Sequence, residues 1–196
     1  MSSNVLAPTT LLNRVLSREA EFSFLEKAFL AVVGSLILTL SAKIVIPFWP
    51  VPSTMQTLAV FALGVVYGPS LAAASIAIYF IEGAFGLPVF TGTPAKGIGL
   101  AYMAGPTMGF LMGFIPSAYV AGKMVESGYG ATLKEAAMVM TASALVLYAF
   151  GLPWLTYLFG FEVMITSFIS WLPGTLAKAG LGVAGLMKLM QYKAAK

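Results

Sequence analysis

Apolar residues run along this chain in long blocks with no polar face, broken by short polar or Gly/Pro-rich segments. The blocks cover roughly 24–46, 54–67, 70–86, 98–122, 135–156 and 162–190. A helix needs about 20 predominantly apolar residues to cross the bilayer core. The first, fourth, fifth and sixth blocks meet that length. The second and third are shorter and meet at Tyr67-Gly68-Pro69-Ser70. Such a pair crosses if it tilts or sits inside a bundle, where Gly and Pro backbone groups find partners. The pattern predicts an all-α integral membrane protein with six transmembrane helices over 24–190. A polar N-terminal tail, 1–23, and a short C-terminal tail, 191–196, flank them.

Composition agrees with lipid as the surrounding solvent. The 196 residues are 59% hydrophobic and 9% charged, against about 25% charged in ordinary soluble domains. A soluble fold of this size cannot hide so much apolar surface. The N-terminal segment carries Arg14, Arg18, Glu19 and Glu21 and lacks an early apolar stretch, which argues for a retained cytoplasmic tail rather than a cleaved signal peptide. Arg14, Arg18, Lys27, Lys123, Lys134, Lys188, Lys193 and Lys196 fall on or near one side of the membrane. Lys96 alone lies in a loop on the other, while Lys43 and Lys178 sit within helices. Basic loops stay cytoplasmic, so both termini are expected inside, in a multi-pass protein of the cell's inner (cytoplasmic) membrane. The net charge of +4 is then topological, and nucleic acid is rejected as a partner.

The missing residue types narrow the chemistry. The chain has no cysteine, histidine or aspartate, which removes the usual zinc sites, a Cys–His nucleophile pair and a Ser–His–Asp triad. No GxxxxGK[ST] stretch is present, so it has no P-loop. The chain is expected not to be an enzyme and to hold no cofactor or metal.

Small residues suggest how the helices pack. Gly105, Gly109, Gly113, Ser117 and Ala121 recur every four positions in the fourth block, and Ala31, Ser35 and Thr39 form a shorter series in the first. Such faces permit close backbone approach in lipid. The fourth-block stripe is expected to pack internally; the first serves either packing or docking onto a partner protein.

Ionisable groups inside a membrane are costly and mark candidate sites. Lys178 lies in Leu172-Pro173-Gly174-Thr175-Leu176-Ala177-Lys178, with Gly174 and Gly182 one turn to either side. This small face should turn inward, with Thr175 on it, and an inward lysine without a nearby acid invites an anion. Lys43 closes the first helix near the outer surface. Glu82 ends the third and is expected to pair with Lys43 or Lys96 or to be hydrated. Two outer segments resemble lids: Ile46-Pro47-Phe48-Trp49-Pro50-Val51-Pro52-Ser53, followed by Gln56, and the Gly/Pro-rich 86–97 with Thr91 and Thr93. Their convergence with Thr175 and Lys178 suits a small, largely apolar molecule carrying a carboxylate and a polar head.

Specific motifs resemble a known family. Pro50-Val51-Pro52-Ser53-Thr54-Met55-Gln56-Thr57-Leu58-Ala59-Val60 is similar to the PVPxTxQTLAV signature of BioY, the biotin-specific S component of energy-coupling-factor (ECF) vitamin transporters. Gly83-Ala84-Phe85-Gly86-Leu87-Pro88-Val89-Phe90 resembles its GxxGLPVF segment, and Gly105-Pro106-Thr107-Met108-Gly109-Phe110 its GPTGGY. Leu172 to Lys178 resembles PGDxxK, with Thr175 in place of the acid. Phe110 replaces the tyrosine and Met108 the first glycine of GPTGGY.

The resemblance implies six helices and an outward-facing biotin site. It also implies partners: a transmembrane T component and ABC-type ATPase subunits that supply the energy. Substrate contacts are expected from Lys178, Thr175, Gln56, Thr91 and Trp49, and partner docking from Ala31, Ser35 and Thr39. The alternatives are an S component for a different vitamin and a proton-coupled carrier using Glu82.

Overall fold

The computed structural model describes residues 22–194, with side chains through Gln191. The expected N-terminal tail up to residue 21, and residues 195–196, lie outside the described residues.

Helix α1, Phe24–Lys43, begins at a capping box. The Ser23 hydroxyl accepts from the Glu26 N–H, and the Glu26 carboxylate accepts from the Ser23 N–H, so two donors that the helix start leaves without partners are satisfied. A two-stranded hairpin follows. Its strands β1, Val45–Ile46, and β2, Ser53–Thr54, pair Val45 with Thr54 and Ile46 with Ser53.

Helix α2, Gln56–Ala84, is broken at Gly68, whose φ of 77° and ψ of 171° are non-helical. Pro69 cannot donate to the preceding turn, and glycine adopts positive φ without steric cost. The two short blocks flanking Tyr67-Gly68-Pro69-Ser70 thus form two helical arms joined at a sharp break.

The fourth block is not one helix. It divides into α3, Gly99–Met103, and α4, Met108–Glu126. The break at 104–107 contains Pro106, which lacks a donor and disfavours helical backbone at Gly105. Gly105 therefore drops out of the stripe. Gly109 and Gly113 remain in it and press against Phe150, Trp154 and Leu147 of α5, Leu133–Phe159.

The last helix, α6, Phe161–Ala194, passes through Pro173 and continues past residue 190, into the segment expected to be a C-terminal tail. Among the described residues four helices, α1, α2, α4 and α5, are long and apolar enough to cross a membrane. Their outward residues include Phe29, Leu36, Leu40, Leu145 and Tyr157, as lipid-facing surfaces require.

Helix α2 packs on α1 and α4, α4 on α5, α5 on α6, and α6 returns to touch α2. The core includes Leu38, Val60, Phe61, Ile76, Tyr79, Phe90, Phe114, Val139, Leu147 and Leu186. Ser75, Ser117 and Ser143 are fully buried, yet each hydroxyl donates to the carbonyl four residues earlier. Buried hydroxyls so bonded avoid the cost of an unmet donor.

Candidate functional site

A pocket opens between the hairpin, the start of α2, the 89–91 segment, α3, α4, α5 and α6. Helix α6 contributes Trp171, Thr175 and Lys178. These residues lie at i, i+4 and i+7, so helical spacing places them on one face. The Lys178 ammonium donates to the Ser53 hydroxyl (3.0 Å) and the Thr54 carbonyl (3.1 Å). Both acceptors are neutral, so hydrogen bonding is partly met while no described residue compensates the charge. Thr175 shares a 2.8 Å hydrogen bond with the Tyr148 hydroxyl.

Helix α4 supplies Phe110, Leu111 and Phe114, with Thr107 just before its first turn. Phe110 meets Trp171 edge to face, with ring centroids 5.7 Å apart, and Tyr148 in the same way. Together they form an aromatic wall beside the lysine. Polar groups of the lining include Gln56, Thr91 and Tyr102. Gln56 stands at the start of α2 and is nearly fully buried.

The two outer segments behave differently. Val51 of the first is buried against Leu155, Met164 and Trp171, with Phe48 beside them, so this segment is folded over the pocket. The second is no lid at its centre, because Val89, Phe90 and Thr91 are buried in the core. Phe90 stacks on Tyr102 with ring centroids 5.0 Å apart, and the Tyr102 hydroxyl donates to the Thr91 carbonyl (2.7 Å). Lys43 pins the same stretch by donating to the carbonyls of Pro88 and Phe90 and to the Thr93 hydroxyl. Its ammonium therefore caps a loop instead of meeting Glu82. Glu82 accepts from Ser35 and is not among the pocket-lining residues.

Lys178, Thr175, Gln56 and Thr91 therefore converge. Trp49 does not: it is 72% exposed, its ring rests edge-on against Phe159, and it lines no part of the pocket. The tryptophan of the site is Trp171, one turn before Thr175, and helical spacing back from Lys178 is the signal that points to it. Tyr102 and Tyr148 carry no motif; each is a hydroxyl-bearing aromatic within an apolar stretch.

The first-helix series lies outside this pocket. Ala31 and Ser35 are buried, and a Cβ on the adjoining Gly34 would lie 2.3 Å from the Ser75 hydroxyl oxygen. The small face of α1 is an internal seam with α2. The Thr39 hydroxyl is buried there without a hydrogen-bond partner among the described residues.

The sequence profile of the BioY family matches residues 13–194. The chain is 38% identical over 141 residues to the biotin transporter BioY of Rhizobium etli, covering 67% of this chain and 74% of that protein. It is 34% identical over 146 residues to the probable biotin transporter BioY of Pyrococcus horikoshii, covering 74% and 84%. Its fold is similar to a crystal structure of the S component for biotin from an ECF-type ABC transporter. The TM-score is 0.68 and the identity 22%, with 87% of this chain and 95% of that one covered.

Proposed function

The chain belongs to the BioY family, and from that premise we propose that it is the biotin-binding S component of an ECF-type importer. The observation that carries this reading is the Lys178 ammonium, whose charge no described residue compensates, in a pocket lined by aromatic and polar groups. Biotin offers a carboxylate, an apolar bicycle and chain, and a ureido group. Lys178 takes the carboxylate, Trp171 and Phe110 flank the apolar part, and Gln56, Thr91 and Thr175 provide hydrogen bonds.

The chain crosses the cytoplasmic membrane six times, with the arms of α2 as separate crossings and both termini inside. The basic residues Lys123 and Lys134 at the α4–α5 turn support that orientation. Energy comes from partners, a transmembrane T component and ABC-type ATPase subunits.

Equilibrium binding of labelled biotin to the detergent-purified chain, with unlabelled biotin, thiamin and riboflavin as competitors, tests the reading. Saturable binding displaced by biotin alone is expected. Displacement by another of these vitamins overturns the biotin assignment.

A further inference from the structure

Tyr79 contributes nothing to the pocket lining and is fully buried, yet it touches two lining residues, Phe90 through its ring and Gln56 through a hydrogen bond. Its hydroxyl accepts from Gln56 Nε2 at 2.7 Å and donates to the Val89 carbonyl at 3.4 Å. A phenol has one proton. With that proton on the Val89 carbonyl, Tyr79 can only accept from Gln56, which turns the amide nitrogen toward the phenol.

The other end of the amide is met from the opposite direction. Gln56 Oε1 lies 3.5 Å from the Thr54 hydroxyl and 3.3 Å from that of Thr91, whose single proton is shared with the nearer Ala42 carbonyl at 3.1 Å. The orientation of the amide rests on the Tyr79 proton going to the Val89 carbonyl and on the Thr54 hydroxyl facing Oε1. Turning it over would take the Tyr79 proton away from the Val89 carbonyl, which lies in a buried residue. One Nε2 hydrogen goes to Tyr79, and the second has no protein acceptor among the described residues.

Packing holds the phenol as firmly as its hydrogen bonds do. The Tyr79 ring meets Phe90 edge to face, with centroids 5.2 Å apart, and Phe90 stacks on Tyr102. A Cβ at Gly83 would fall 2.1 Å from the Phe90 ring, so this aromatic group has no room to shift toward α2.

We propose that Tyr79 is a positioning residue for the ligand site: it fixes the Gln56 amide so that an N–H, not the carbonyl, is presented to an acceptor oxygen of the bound molecule. Under the biotin reading, on which this inference rests, that acceptor is the ureido carbonyl.

A double-mutant cycle with Tyr79→Phe and Gln56→Met tests it, read as equilibrium binding of labelled biotin to each purified chain, with a thermal melt of each. Tyr79→Phe keeps the buried ring and removes only the hydroxyl. It is expected to weaken binding about tenfold, and Gln56→Met at least as much. In the Gln56→Met background the Tyr79 change is expected to alter affinity by less than about twofold.

A purely structural role for the hydroxyl gives losses that add across the two backgrounds, and additive losses overturn the proposal. Wild-type affinity in Tyr79→Phe also overturns it. Should Gln56→Met fail to fold, Gln56→Glu removes the same donor at constant size and completes the cycle. A wild-type chain without saturable biotin binding overturns both this inference and the functional reading. Tight wild-type binding with an additive cycle overturns this inference alone.

Discussion

Lys178 concentrates the chemistry of the site because, among the described residues, its ammonium meets only neutral oxygens, those of Ser53 and Thr54. Dipoles satisfy two of its three donors, but they supply no opposing charge. An anion entering the pocket therefore gains a charged contact that the ligand-free protein lacks. Truncating one member of a buried charged contact costs about 2–5 kcal/mol. Lys178→Ala is expected to weaken biotin binding at least roughly tenfold, measured as the shift in a saturation curve. Unchanged affinity would place the carboxylate elsewhere. Thr175 illustrates what a motif conveys and what it leaves out. The motif places it one turn from Lys178 but carries no sign that its partner is Tyr148, 27 residues earlier on α5.

Helix packing depends on a few positions where backbones nearly touch. A Cβ at Gly64 would lie 2.2 Å from the Ala118 carbonyl oxygen, and one at Gly122 would lie 2.7 Å from the Gly64 carbonyl. Helices α2 and α4 interlock there, so Gly64→Val must push them apart. Overpacking of this kind costs about 1–3 kcal/mol, and a lower melting temperature in detergent is the expected result. Gly151 of α5 differs because its neighbour belongs to the site: an added Cβ would fall 2.2 Å from the Phe110 ring. Gly151→Ala is expected to reduce biotin affinity several-fold by displacing Phe110 from Trp171, while the melting temperature changes little. Equal affinity for this variant and the wild type would show that Phe110 does not shape the binding surface. The every-fourth-residue pattern is enough to mark the packing face of α4. It misplaces Gly105, because a period of four carries no information on where Pro106 stops the helix.

Orientation and energy supply belong to the whole molecule. Since the chain contains no cysteine, single cysteines report topology without background. Ala95→Cys, in an exposed part of the 86–97 loop, is expected to react with a membrane-impermeant maleimide in intact cells. Ser127→Cys, at the exposed end of α4, should react only after permeabilisation. The reverse labelling would invert the proposed orientation.

The order of apolar blocks, the missing residue types and the ordered motifs are properties of the chain alone, and they determine that it is a helical membrane protein of this family. Helical periodicity puts Thr175 and Lys178 on one face, and the expected convergence of these two with Gln56 and Thr91 has its counterpart in one pocket that all four line. Three matters are decided only by the tertiary structure. Trp49 lies against Phe159 instead of in the pocket, the 89–91 segment is core rather than lid, and Ala31 and Ser35 are covered by α2. Each depends on which distant surface a side chain meets, and in lipid that choice is made by close packing and hydrogen bonding between helices. A tryptophan in a proline-rich loop and a small residue on an apolar helix suit several such surfaces equally well. Only the folded bundle, with α2 broken at Gly68 and its second arm laid along α1, selects among them.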